Sequence, residues 1–170
     1  MPDNEKIFAM LIDGDNAQAS LLPQMLTEIN KYGTVIIRRI YGDWTDNQMK
    51  SWKEVLHPYA IQPVQQFRNA VGKNATYSAV IIDAMDVLYT SNVTGFCIVS
   101  SDSDYTRLAT RIRENNLFVL GIGKENTPRA FVNACNVFVS TENLQYNETP
   151  AEASATTSKV KAPADTPKKI

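Results

Sequence analysis

Asp13-Gly14-Asp15-Asn16 follows the apolar run Ile7 to Ile12, and Asp102-Ser103-Asp104 follows Phe96 to Ser100. Each is a small group of carboxylates at the end of what reads as a buried strand. In an open α/β sheet, ligands collect outside the carboxyl ends of the strands, so two such ends can converge despite a wide separation in sequence. Packed carboxylates raise one another's pKa, and a hard divalent cation, Mg²⁺ or Mn²⁺, is the usual reason to keep them ionised. The same residue types also cap helices and form Asx turns, and one cap needs one such residue. Three polar side chains crowd the first strand end, and the second cluster repeats the pattern. An EF-hand is excluded, because the twelfth position counted from Asp13 is Gln24 where that loop needs Glu.

The remaining chemical motifs are weak. Gly121-Ile122-Gly123 resembles part of a dinucleotide fingerprint, but position 126 is Asn and the pair comes late in the chain, so it reads as a turn. The single histidine, His57, precedes Pro58 and reads as a surface residue, which removes His-based acid-base or triad chemistry. Asp13-x-Asp15 matches the start of a haloacid-dehalogenase-like phosphatase motif, yet Ala17 stands where that motif needs Thr or Val. Cys97 lies in a strand-like run and Cys135 after a helical one, which suits buried free thiols in a reducing cytoplasm.

The elements that must position these groups alternate along the chain. Strand-like runs cover 7–12, 34–41, 61–67, 95–100, 118–122 and 137–140. Between them, Leu22/Met25/Leu26/Ile29, Met49/Trp52/Leu56, Ile81/Ala84/Met85/Leu88 and Tyr105/Leu108/Ala109/Ile112 carry the spacing of one buried helical face. Strand-helix alternation predicts a three-layer α/β/α sandwich around a mainly parallel sheet.

At 170 residues, 44% hydrophobic and 21% charged, the chain fits one globular domain, expected over residues 1–146. Residues 147–170, rich in Ala, Thr, Pro, Ser and Lys, read as a disordered linker that stops after two lysines as if cut before a further domain. Acids outnumber bases in residues 1–146 as in the whole chain, whose net charge is -1, so a nucleic acid would be gripped by a local basic rim. No signal peptide precedes the first strand, and no apolar run approaches the roughly 20 residues that span a bilayer.

The segments LIDGDNA (11–17), IYGDW (40–44), GKNAT (72–76), IIDAMDVLY (81–89), VSSDSDYTRLATRIRE (99–114) and TPRAFVNACNVFV (127–139) together resemble an NYN domain of the bacterial LabA-like group, a branch of the PIN-type nucleases. The resemblance covers Ile7 to Leu144. It implies a PIN-like sandwich, metal-dependent cleavage of RNA, and Asp13, Asn16, Asp102 and Asp104 as catalytic residues, with Asp13, Asp102 and Asp104 as metal ligands. It also implies a following LOTUS-type RNA-binding domain, which would suit the tail.

One position departs from the pattern. Where the family places an acid after GKNAT, this chain has Tyr77, which supplies no carboxylate at neutral pH. Asp83 and Asp86 are no substitutes, since on one helix they stand about 240° and 180° around from position 77. The site either works with fewer protein ligands and more waters, which Mg²⁺ tolerates, or the domain binds RNA more than it cuts it. For substrate, Arg39, Lys73, Lys124 and Arg129 near strand ends or loops could pin phosphates, and Trp44, Tyr77 and Tyr41 could stack unpaired bases, with core packing an equal alternative for Tyr41.

Overall fold

The computed structural model describes residues 5–68 and 75–146. Lys73 and the proposed linker 147–170 lie outside the described residues. Six strands form one sheet in the order β3-β2-β1-β4-β5-β6. They are β1 Lys6–Asp13, β2 Gly33–Gly42, β3 Gln62–Gln65, β4 Gly95–Val99, β5 Phe118–Gly123 and β6 Val137–Ser140, and every pairing between them is parallel. The sheet is therefore wholly parallel.

The central strands β1 and β4 are covered on both faces, which is why they read as unbroken apolar runs. Along β1 the side chains alternate. Phe8, Met10 and Ile12 enter one core with Leu22, Met25 and Ile29 of α1 (Leu22–Asn30), Trp52 of α2 (Lys50–Leu56) and Leu144 of α6 (Thr141–Tyr146). Ala9 and Leu11 enter the other, with Val80, Ala84 and Val87 of α3 (Ala75–Thr90), Leu108, Ala109 and Ile112 of α4 (Thr106–Glu114), and Phe131 of α5 (Arg129–Ala134). Two helical layers thus enclose the sheet. The edge strand β3 is short and carries Pro63, which a central strand would not accept.

The buried face of α3 is turned from the expected one. Val80, Ala84 and Val87 point inward, whereas Ile81, Met85 and Leu88 are only half-buried and Ile82 is exposed. This helix is apolar on nearly every side, so periodicity could not choose a face. His57 is exposed, and Cys97 and Cys135 are buried free thiols. No described helix is long and apolar enough to cross a membrane.

From β1 the chain steps outward to β2 and β3, then crosses to the opposite side of β1 for β4, β5 and β6. The reversal falls between β1 and β4. Open α/β sheets bind ligands outside the carboxyl ends of the two strands at such a reversal, and here those ends carry Asp13 and Ser100 to Asp104.

Candidate active site

Asp13 is the last residue of β1 and is only 4% exposed. Its Oδ2 accepts from Asn16 Nδ2 at 2.9 Å and Ser100 Oγ at 3.0 Å, and its Oδ1 accepts from the Asp15 backbone N–H at 3.2 Å. Burial raises its pKa, an effect that the hydrogen bonds from Asn16 and Ser100 oppose. Gly14 keeps the turn close to β2, for its N–H donates to Tyr41 O at 2.9 Å. A Cβ there would stand 2.7 Å from that carbonyl and 2.6 Å from Met49 Cε, so only glycine fits.

Ser100 joins the two clusters. Its buried hydroxyl donates to Asp13 and accepts from the Asp102 backbone N–H at 3.1 Å. Asp102 then uses Oδ1 to cap a 3₁₀ turn, Ser103–Tyr105, by accepting from the Asp104 N–H at 2.9 Å. One carboxylate oxygen of Asp102 is committed to this turn, which leads into α4, whose own N-cap position is Tyr105 with no side-chain cap bond. Asp104 and Asn16 are exposed.

Asp15 serves a different purpose. It accepts from Arg68 Nη2 and from Thr76 Oγ1, each at 2.8 Å, and Arg68 also meets Asp46 at 3.2 Å. Behind Arg68 stands Asp43, whose carboxylate accepts from Thr45 N and Oγ1, Gln65 Nε2 and the Arg68 backbone N–H. Those bonds, the Thr45 hydroxyl's foremost, hold its pKa far below the ordinary carboxylate range. A depressed pKa contributes stability above the unfolded-state value near 3.8, and that contribution is lost as pH falls below it. Urea denaturation from pH 6 to pH 2.5 is therefore expected to show wild type losing more stability than Asp43→Asn below about pH 4. Parallel curves would disconnect Asp43 from acid unfolding.

An unsatisfied hydroxyl lies in the field of these carboxylates. Tyr105 is 1% exposed, and among the described residues its Oη has no hydrogen-bond partner. Such a group costs about 1–3 kcal/mol when left unpaired. Burial first, then the charges of Asp13, Asp102 and Asp15, keep the phenol protonated at all ordinary pH. Its ring is held between Tyr77, 5.2 Å away between centroids, and Phe131, 6.5 Å away.

The substrate residues expected from sequence divide. Tyr41 is fully buried and donates to Asp83 Oδ2 at 2.8 Å, so it is a core residue and not a base-stacking one. Arg39 points at the same carboxylate, 3.4 Å away. Trp44 is half-buried, with its indole N–H donating to Val64 O at 3.1 Å. Lys124 and Arg129 are exposed, Lys124 just beyond β5 with its backbone N–H on Ser101 Oγ at 2.8 Å, and Arg129 at the start of α5. Tyr77 lines a cleft of about 510 Å³ between α3 and α4, floored by Ile81, Met85 and Leu108 and flanked by Arg107 and Arg111. Ser100, Arg68, Thr76 and Tyr105 are site partners that sequence reasoning missed. Only Ser100, a polar residue closing an apolar run, left a signal there.

The NYN domain family model matches residues 8–144. The chain belongs to the NYN domain family. NYN membership points to the PIN-like nuclease superfamily. Among solved structures, a Vibrio parahaemolyticus protein of unknown function is similar at 18% identity and a TM-score of 0.66, over 82% of this chain and 95% of that one. At that identity the likeness concerns the fold alone. A search of curated proteins finds no match.

Proposed function

We propose that this NYN domain is a Mg²⁺- or Mn²⁺-dependent ribonuclease acting on single-stranded RNA. The observation that carries the reading is the buried Asp13 carboxylate, joined through Ser100 to Asp102 at the strand ends where the sheet reverses. Asp13 and Asp102 would hold the cation, with Asp104 at the rim. A desolvated carboxylate, and a buried hydroxyl that is unpartnered among the described residues and lies in the field of the same acids, fit a hydrated cation. Among the described residues no three acid, imidazole or thiol side chains gather closely enough to hold an ion, so waters would complete its shell. When bound, the ion supplies an activated water and charge neutralisation at phosphorus.

The protein's own part is positioning. Ser100 fixes the Asp13 carboxylate, the Asp102 cap sets the second acid, and Asn16 stands as a neutral partner for a water. A strand leaving the acidic centre past Tyr77 meets the cleft between α3 and α4, where apolar side chains suit bases and Arg107 and Arg111 suit phosphates. Lys124 and Arg129 would hold phosphates on other approaches to the centre, and the same role is proposed for Lys73 from its sequence.

Tyr77 in place of an acid, and the absence of a three-acid group among the described residues, favour a second reading in which the domain binds RNA without cutting it. One experiment separates the two. Purified protein with single-stranded RNA and Mn²⁺ is expected to produce metal-dependent fragments, and Arg107→Ala with Arg111→Ala is expected to weaken binding and flatten its salt dependence by roughly 1.4 in log-log slope. Binding without fragments would establish the second reading. An unchanged slope would remove RNA from the cleft.

A further inference from the structure

Among the described residues nothing pairs with the Tyr105 hydroxyl. Its hydroxyl is a donor shut away from solvent, and its ring packs against those of Tyr77 and Phe131. Asp13, Asp102 and Asp15 all act on it, yet none accepts its hydrogen. A partner that serves both the phenol and these acids must accept from the one and donate to the others, because carboxylates only accept. A phosphate oxygen fails the second condition. A water meets both, and a hydrated cation brings such waters together with the positive charge that a buried carboxylate calls for.

We propose that Tyr105 is a positioning residue whose Oη donates a hydrogen bond to a water carried by a hydrated divalent cation between Asp13 and Asp102. The inference rests on the ribonuclease reading for the cation and adds this chain's own means of orienting its water. Tyr105 acts on the direction of that water and not on its affinity for protons. The aromatic ring supports the core, whereas the hydroxyl serves the ligand.

The test compares wild type with Tyr105→Phe, which keeps the ring and removes only the oxygen. In EDTA the variant is expected to melt at the same temperature as wild type or above it, because an unsatisfied buried group has been removed. Added Mn²⁺ is expected to raise the wild-type melting temperature and to raise that of Tyr105→Phe by less than half as much, with the apparent Mn²⁺ Kd weakened about tenfold. Cleavage by the variant is expected to fall in kcat with KM for RNA unchanged. Destabilisation of Tyr105→Phe in EDTA would assign the hydroxyl to a resident water or protein group and overturn the proposal. An undiminished Mn²⁺ shift in the variant would overturn it while leaving the ribonuclease reading intact, whereas no Mn²⁺ shift in wild type would remove both.

Discussion

Asp13→Asn is expected to lower metal-dependent RNA cleavage roughly a thousandfold, the order expected when several kcal/mol of electrostatic stabilisation is lost. The fold should survive. Burial already disfavours the Asp13 charge, so a neutral amide of the same shape relieves desolvation while its carbonyl can still accept from Ser100 or Asn16. RNA affinity should remain within a fewfold of wild type, because the proposed phosphate contacts belong to arginines and lysines elsewhere. Single-turnover cleavage beside filter binding measures both quantities. A rate within about threefold of wild type would exclude Asp13 from the chemistry.

Phe131→Ala is expected to be the most destabilising of these changes. The ring is fully buried beneath Tyr105 and meets Phe138 edge-on at 6.0 Å. Truncations of this kind cost about 3–5 kcal/mol through lost burial and the cavity left behind. For a domain of this size that is a fall of roughly 10 °C in Tm. It also takes away one of the two rings that steady Tyr105, so any cation response should shrink even at temperatures where the variant stays folded. Urea denaturation gives the first quantity and the Mn²⁺ shift the second. A loss below about 1 kcal/mol would mean that the layer beneath Tyr105 repacks freely.

The parts of this architecture legible in sequence were those whose pattern has one solution. β1 and β4 are apolar on both faces and bounded by acids, so they read as central strands with a site at their ends. α4 sets Leu108, Ala109 and Ile112 against Arg107, Arg111 and Arg113, which leaves no doubt about its inward face. α3 has apolar residues almost all round, and the face it buries was decided by contacts with the sheet that no local window contains. α5 and α6 have six residues each, too short to establish a period. The site behaves in the same way. Asp13 and Asp102 stood out by position, whereas Tyr105 was indistinguishable from a core residue, which its ring is, and the role of its oxygen emerged only when its surroundings were known. Asp15 stood in the first acidic cluster by sequence, and its engagement by Arg68 and Thr76 could not be read there.

The hydrogen bond from Ser100 to Asp13 spans 87 positions in sequence. A chain growing from its N-terminus therefore makes β1, β2 and β3 long before it can make an acidic centre. Until β4 has emerged and paired beside β1, Asp13 is a carboxylate at the margin of an incomplete sheet, without Ser100 to orient it or Asp102 to share a ligand. The acidic centre is thus formed by the same β1–β4 pairing that joins the two halves of the sheet, and on the ribonuclease reading a nascent domain would lack it until that pairing is made.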